Sequence, residues 1–336
     1  MSMPTLDDVA REVGVHPSTV SRALNPSRAR LVNPETRQAV EEAARRLGYR
    51  PHMGARGLQS GRTATVGVIA ADLGNPFVTP IIHGITASLE VAETMPVIAE
   101  TQDEHDRFAR ILDHMLSRRV DAVVAVATRA GDRQILEDAA RIAPVVIAAR
   151  PLPGSHLPQV IHDDAAGATL AAEHLHELGH RTVVQLRGPL DVANFDRRAE
   201  AFSASCRRLG MTEIPLADTG ARPISEEGRR LMETLLGGRA TVPTAVFAHN
   251  DLMALGALAA LKAAGLEVPA DVSLIGYNDL PAMDLVAPPL TTIRYPSREI
   301  GLAAGELVVE LLSGTRPPGV CLEPALVVRA STRRLD

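Results

Sequence analysis

The chain has 336 residues, which is enough for a small domain followed by a larger body of two lobes. Hydrophobic residues make up 46% of the sequence, so sizeable cores can form and a disordered activator is excluded. The formal net charge is −5, yet residues 1 to 63 contain ten arginines and only six acidic residues. A basic N-terminal segment on an acidic body is typical of a protein that binds nucleic acid.

The first predicted elements are two short helices joined by a glycine turn. Thr5 and Asp8 form a capping-box pattern at the start of the first helix, and Gly14 ends it. Pro17 suits the first turn of the second helix, where Val20 is spaced to face inward with Leu24. The residues expected on the outside are Ser18, Thr19, Ser21, Arg22 and Asn25. Their hydroxyl, amide and guanidinium groups suit phosphates and base edges, which favours a helix-turn-helix over an ordinary surface hairpin.

A third helix and a glycine-rich segment follow. Asn33 and Pro34 begin the helix, and Gly48 ends it. Its expected inner face consists of Val40, Ala43, Ala44 and Leu47. Residues 49–63 contain three glycines and form a poor autonomous helix, so a flexible linker is one interpretation. The other is a segment that orders on DNA or against a second copy, with Leu58 as an apolar wedge in the minor groove.

From Thr65 onward, short β-branched runs alternate with helical stretches, which predicts parallel sheets covered by helices on both faces. The strand runs are TVGVIA, MPVIAE, DAVVAVA and APVVIAA in a first series, and TVVQLRG, TAVFAH and VSLIGY in a second. The predicted helices are 80–91, 106–116, 132–142, 165–178, 197–209, 226–236 and 251–264. The segment LTTIRYPSREIGLAAGELVVELL predicts a last strand followed by a long helix. Two such series indicate two doubly wound lobes around a cleft, and ligands bind outside the carboxyl ends of the strands in such sheets.

The candidate ligand-binding groups are polar residues that follow the predicted strands or begin a helix of the second lobe, together with aromatic residues that could face the cleft. They are Asp72, Asn75, Phe77, Phe195, Arg198, Phe247, Asn250 and Asn278. Single residues of this set can instead have a purely structural role, because Asp72 begins a turn sequence and Asn250 or Asn278 can cap a helix. The convergence of several strand ends on one cleft favours ligand binding for the set.

Five motifs occur in a fixed order along nearly the whole chain: DVAREVGVHPSTVSRALN, LGYRPHMGARGL, AHNDLMALGAL, DVSLIGYND and PPLTTIR. Through them the chain resembles the lac-repressor-type bacterial transcriptional regulators, the LacI/GalR family. The resemblance implies an N-terminal all-α helix-turn-helix domain and an α/β periplasmic-binding-protein-like core of two doubly wound parallel-sheet lobes. It implies domains at 1–49 (DNA binding), 50–63 (hinge helix or linker) and 64–336 (effector binding and dimerisation). The expected lobes are about 64–163 with 294–322, and about 164–293 with 323–336.

The resemblance also implies roles for individual residues. Pro17, Ser18 and Arg22 match base-reading positions, although Pro17 has no side-chain hydrogen bond to offer, so Arg22 is the main predicted base reader. The residues that match phosphate contacts are Thr5, Thr19, Ser21 and Asn25, and Leu58 matches the hinge wedge. His16 stands where the family often has a hydroxyl residue and is included among the predicted DNA contacts.

In the cleft, Arg198, Asn250 and Asn278 match positions that contact a small-molecule effector, and Asn278 stands where the family often has an aspartate. The chain has no tryptophan, so stacking on a sugar is confined to Phe77, Phe195, Phe247 and Tyr277. The effector class stays open between a sugar or sugar acid and a compact anion held by Arg198 and Arg222.

The sequence contains no phosphate-cradling loop, nucleophile elbow or paired metal motif, so we expect neither an enzyme nor a metal or cofactor. The apolar runs are too short for a bilayer and no export signal precedes them, so we expect a cytoplasmic protein without membrane contact. An exported solute-binding protein, which would share the two-lobed body, is the disfavoured alternative. Cys206 and Cys321 show no pairing pattern and are expected to be buried.

The expected mechanism is allosteric. A homodimer binds a pseudo-palindromic double-stranded operator, and an effector changes lobe closure and thereby operator affinity. We expect repression, since a roadblock at a promoter needs no contact with polymerase. No heptad run is present at the C-terminus to form a tetramerising coiled coil.

Overall fold

The structure, a computed structural model, describes residues 4–25, 28–49, 62–126, 128–216, 218–220, 222–237 and 243–335. It divides into two compact units, Met1–Thr63 and Ala64–Asp336. Residues 50–61 of the predicted hinge segment, which include Leu58, lie outside the described residues.

The described part of the N-terminal unit contains the three predicted α-helices. They are α1 (Leu6–Val13), α2 (Pro17–Ala23) and α3 (Pro34–Leu47), with a short 3-10 turn at Ala29–Leu31. Thr5 and Asp8 form the predicted capping box, and Gly14 ends α1 in the left-handed conformation. One fully buried valine from each helix, Val9, Val20 and Val40, forms the centre of a small core. Burying a valine contributes about 1.5 kcal/mol or more, so this core depends on a few side chains.

The larger unit contains two six-stranded sheets in its described part. The strands are β1 (Thr65–Ala70), β2 (Met95–Glu100), β3 (Ala122–Ala125), β4 (Val145–Ala148), β5 (Gln159–His162), β6 (Thr182–Leu186), β7 (Thr212–Glu213), β8 (Ala245–Ala248), β9 (Ser273–Asn278), β10 (Thr291–Arg294), β11 (Val320–Leu322) and β12 (Ala325–Val327). The first sheet has the order β11-β5-β4-β3-β1-β2, and the second has the order β12-β10-β9-β8-β6-β7. Among the described pairs only β10 and β12 run antiparallel, so the predicted parallel sheets are confirmed.

Helices cover these sheets. They are α4 (Val78–Val91), α5 (His105–Ser117), α6 (Arg133–Ala139), α7 (Asp164–Glu177), α8 (Ala193–Arg208), α9 (Ser225–Gly237), α10 (Asp251–Ala263) and α11 (Ser297–Leu312). Small residues permit the closest helix contacts. A Cβ at Gly301 of α11 would overlap the Ile81 carbonyl oxygen of α4, and one at Gly256 of α10 would overlap the Ser225 carbonyl oxygen of α9. The backbones of each pair therefore approach more closely than larger side chains would allow.

The chain passes between the two sheets three times, from β5 into α7, from β10 into α11, and from β11 into β12. Helix α11 packs on α4 and the first sheet, whereas α7 packs on α8 and the second. Each lobe is thus discontinuous in sequence. The numbered lobe boundaries given above stay predictions.

The structure also corrects one expectation. Cys206 is buried as predicted, but Cys321 is exposed, because it lies on the short edge strand β11. No described helix is long and apolar enough to cross a membrane. Within the described ranges, no group of histidine, cysteine and acidic residues has the geometry of a metal site.

Candidate functional site

The exposed face of α2 is the first candidate site. Val20 and Ala23 are buried against α1 and α3, which turns Ser18 and Arg22 outward. No hydrogen bond or ion pair holds the Arg22 guanidinium within the described part of the chain. Its N–H donors are therefore available for the two acceptors that guanine presents in the major groove.

His16 caps this helix. Its Nδ1 accepts a hydrogen bond from the Ser18 backbone N–H (3.2 Å) and is hydrogen-bonded to the Ser18 hydroxyl (2.8 Å). The imidazole ring thus caps the helix, as the hydroxyl residue that the family often has at this position would. It also fixes the rotamer of Ser18, a constraint on the predicted base contact that the sequence did not reveal.

Thr5 caps helix α1. Its hydroxyl donates to the Asp8 carboxylate (2.7 Å) and accepts from the Asp8 backbone N–H (3.3 Å). Thr19, Ser21 and Asn25 are half-buried on or beside α2. Their predicted phosphate contacts stay predictions.

The second candidate site is a cleft between the two lobes of the larger unit, with a volume of about 650 Å³ that includes its open mouth. Most of the predicted ligand-binding residues line it: Asp72, Asn75, Phe77, Phe195, Arg198, Asn250 and Asn278. The first three follow β1 of the first lobe, and the others belong to the second lobe. The cleft thus lies at the carboxyl ends of parallel strands, where the sequence predicted it.

Phe247 does not line this cleft, and its prediction as a pocket face is corrected. It is fully buried within β8, and its ring stacks on Phe202 with centroids 4.8 Å apart. Tyr277, the other predicted face, is also fully buried, beneath Arg198. Of the predicted aromatic faces, Phe77 and Phe195 reach the cleft.

Arg198 is held rigidly. Its Nε donates to Asp164 (2.8 Å), its Nη1 donates to the His249 carbonyl oxygen, and its guanidinium carbon lies 3.6 Å from the centre of the Tyr277 ring. The side chains of Arg198 and Asp164 are 1% and 0% exposed. Burial raises the pKa of Asp164 to about 6 even though Arg198 opposes the shift, and Asp164 Oδ2 has no partner in the described structure.

Tyr277 connects Arg198 to the crossing between the lobes. Its hydroxyl is hydrogen-bonded to His162 Nε2 (2.6 Å), and His162 is the last residue of β5. Burial, followed by the charge of Arg198, lowers the pKa of His162 to about 3, so its ring is neutral at physiological pH. A rigid contact series therefore runs from the cleft to the first crossing.

Asparagine side chains in the cleft fall into two groups. Asn250 caps α10, because its Oδ1 accepts from the Met253 N–H (2.7 Å) while its Nδ2 donates to the Pro223 carbonyl oxygen (2.7 Å). Asn194 and Asn278 are 7% and 8% exposed, and the Oδ1 of each is buried without a hydrogen-bond partner in the part of the chain that the structure describes. These two carboxamides remain to bind a ligand.

In the loop after β1, Asp72 and Asn75 have the structural role of holding a turn. Asp72 Oδ1 accepts from the Gly74 N–H (2.8 Å), and Asn75 Oδ1 accepts from the Phe77 N–H (3.1 Å). Both side chains therefore fold the turn that presents Phe77, while they also line the cleft.

Sequence reasoning missed Asp103, Arg150 and Asn194, which also line the cleft. Asp103 follows β2 and Arg150 follows β4, so the rule that ligands bind beyond strand ends could have found both. Arg150 donates two hydrogen bonds to the Asp103 carboxylate. Burial raises the pKa of Asp103, but the charge and hydrogen bonds of Arg150 and the charge of Arg129 outweigh it, so the net shift is downward.

Comparison with known proteins identifies this arrangement. The sequence profile described as "Bacterial regulatory proteins, lacI family" matches residues 5–52, and the "Periplasmic binding protein-like domain" matches 172–332. The HTH-type transcriptional repressor CytR of Escherichia coli (strain K12) is 32% identical over 334 residues, which cover 98% of this chain and 97% of that protein. The chain belongs to the lacI family. It is accordingly a DNA-binding transcription regulator and not an enzyme.

Solved structures of this family share the fold over the full length. The lac repressor dimer bound to operator and the anti-inducer ONPF matches with a TM-score of 0.88 and 27% identity, covering 99% of this chain and 100% of that one. The transcriptional regulator CelR–cellobiose complex matches with a TM-score of 0.74 and 31% identity, covering 98% and 99%.

Proposed function

We propose that α2 reads a pseudo-palindromic operator and that the cleft binds a neutral sugar, which controls operator affinity. The observation that carries the ligand class is the pair of unpartnered carboxamides, Asn194 and Asn278. An unsatisfied buried polar group costs about 1–3 kcal/mol, so a ligand that pairs with both recovers this free energy. A carboxamide contains an acceptor and two donors, and a sugar hydroxyl can match either.

A compact anion fits the cleft less well. It has no donor for the two carboxamide oxygens, and the guanidinium of Arg198 already bonds Asp164 and the His249 carbonyl oxygen. Phe77 and Phe195 add apolar faces on opposite lobes for the ring of a sugar. The CelR–cellobiose complex is a relative with a sugar named as its ligand, which supports the same class.

The lining of the cleft suggests how the ligand acts. Phe77 belongs to the first lobe, whereas Asn194 and Asn278 belong to the second, so one ligand contacts both. A ligand that binds one degree of lobe closure better than another shifts the population toward it. Through residues 50–63 as the proposed hinge, this shift changes how two DNA-binding domains fit their half-sites, spaced by about one helical turn or a multiple of it.

A homodimer accounts for an exposed apolar edge. Strand β2 is the outer strand of the first sheet, and Met95 is 60% exposed on it, beside Val91 at 89% on α4. Exposed edge strands with apolar side chains require cover, and a second copy of the chain is the partner that a two-fold operator needs. We propose on these grounds that the chain forms a homodimer. Because it belongs to a family of DNA-binding regulators and is similar to a named repressor, we also propose that it acts as a repressor in the cytoplasm.

The experiment compares the full chain with a fragment of residues 62–336. Thermal unfolding against neutral sugars, sugar acids and other organic acids identifies the ligand, and fluorescence anisotropy measures binding to an operator selected from random DNA. We expect both proteins to bind the same neutral sugar and only the full chain to bind DNA. DNA binding by the fragment, or a response confined to organic anions, would contradict the proposal.

A further inference from the structure

Three arginines act on one carboxylate of the cleft, Asp103. Arg150 holds it with two hydrogen bonds, and Arg129 Nη2 lies 3.6 Å from its Oδ1. Arg222, from the other lobe, also acts on Asp103 through its charge. The side chains of Asp103 and Arg150 are only 13% and 12% exposed, so the geometry of this pair is fixed and not that of a mobile surface ion pair.

The charges of the cleft balance only while Asp103 is present. Among the described lining residues, Asp72 and Asp103 oppose Arg150, Arg198 and Arg222, and Arg198 has its own buried partner in Asp164. Arg129 is likewise paired with Asp191 of the second lobe. Without Asp103, the guanidinium of Arg150 would face the cleft with no carboxylate to neutralise it.

We propose that Asp103 is a charge filter, which occupies Arg150 and thereby selects an uncharged effector over an acidic one. The inference rests on the proposed function of the cleft as the effector site. A bidentate arginine–carboxylate pair is among the strongest hydrogen-bonded contacts that a ligand carboxylate can make with a side chain, and Asp103 already makes it with Arg150. At Arg150, an acidic ligand therefore meets a charge of its own sign where it would need a free guanidinium.

The filter predicts opposite effects for two variants. Asp103→Asn keeps the side-chain shape and one acceptor for Arg150 but removes the negative charge, so affinity for acidic sugars should rise. Arg150→Gln leaves the Asp103 carboxylate without its main partner, so affinity for cationic sugars should rise instead. Asp113→Asn is the matched control, because it removes one negative charge at an exposed position of α5 that does not line the cleft.

The test measures binding by isothermal titration calorimetry with two matched sets: D-galactose, D-galacturonate and D-galactosamine, and the corresponding D-glucose series. For the set that binds, we expect the wild type to prefer the neutral sugar, and Asp103→Asn to shift the acid-to-neutral affinity ratio about tenfold or more toward the acid. Arg150→Gln should shift the amine-to-neutral ratio in the same way, and this arm decides the outcome if Asp103→Asn does not fold.

Unchanged ratios in the folded variants, the same shift in Asp113→Asn, or a wild type that prefers the acid would overturn the filter. If the wild type binds no sugar of either set, neither hexose is its effector, and the filter is then measured with sulfate alone. At constant ionic strength, greater thermal stabilisation of Asp103→Asn than of the wild type by sulfate supports the filter. Equal stabilisation overturns it.

Discussion

Replacing Arg198 by methionine tests the buried ion pair beneath the cleft. The substitution keeps an unbranched apolar stem but leaves Asp164 fully buried with neither oxygen paired. Removing one partner of a buried pair costs about 3–5 kcal/mol. Burial already raises the pKa of Asp164 to about 6, against the opposing charge of Arg198. At 1.36 kcal/mol per pKa unit, the folded protein disfavours the charged carboxylate by about 3 kcal/mol. Loss of Arg198 increases this cost.

The loss of stability caused by Arg198→Met should increase as pH rises. The folded-state pKa of Asp164 lies above its unfolded value, so the neutral carboxyl is favoured by folding and the stability it contributes is lost as pH rises from about 4 through 6 and beyond. The deficit of Arg198→Met should therefore be largest near pH 8 and at least about 2 kcal/mol smaller near pH 4.5. Burial, the larger cause of the low pKa of His162 and of His249, is the same in both proteins. Loss of the Arg198 charge raises both pKa values toward normal, which also makes the deficit smaller at low pH.

Urea unfolding followed by circular dichroism at both pH values measures the difference. The control is Arg208→Met on the same helix, which removes an exposed pair with Glu173 (2.8 Å) and should cost no more than about 1 kcal/mol at either pH. A deficit for Arg198→Met that equals the control, or one that does not change with pH, would refute the reasoning about Asp164.

Further outcomes follow from other parts of the structure. Arg22→Ala should weaken operator binding by about 1–3 kcal/mol and relax base preference in an anisotropy assay with single-base operator variants, whereas Arg11→Ala should leave base preference intact. Gly256→Ala should lower Tm by several degrees in calorimetry, because the added methyl overlaps a carbonyl oxygen of α9, while Gly237→Ala has open space and should not. Burial raises the pKa of Asp251 to about 7, so the wild type should lose about 3 kcal/mol of stability relative to Asp251→Asn as pH rises from 4 to 7. A parallel pH dependence of the two proteins in urea unfolding would contradict the assigned cause.

The helix ends of the N-terminal unit were predictable, because the contacts that form them join residues close together in sequence. The capping box of Thr5 and the left-handed glycines at the ends of α1 and α3 involve residues only a few positions apart. Hydrophobic periodicity likewise predicted the helices of the larger unit to within a few residues at each end. The strands β5, β7, β11 and β12 were not predicted, because each has only two to four residues and shows no recognisable period.

The cleft was only partly predictable, because its details depend on partners far apart in sequence. Position after a strand suggested Asn278 and position near a helix start suggested Arg198, and both line the cleft. The scarcity of aromatic residues suggested Phe247 as a pocket face, but its side chain is buried in the core. No local pattern shows that Arg150 pairs with Asp103, or that Tyr277 is hydrogen-bonded to His162. These pairs arise when separate strands end at the same edge of a sheet.

We propose above that a small molecule in the cleft controls operator affinity. The most direct test is the Kd for the selected operator with and without the sugar identified by thermal unfolding, in the wild type and in Asn278→Ala. We expect the sugar to change the wild-type Kd by about fivefold or more, and the variant to bind DNA equally well without sugar but to lose the response. An equal response in both proteins, or no change in the wild type at saturating sugar, would contradict the account.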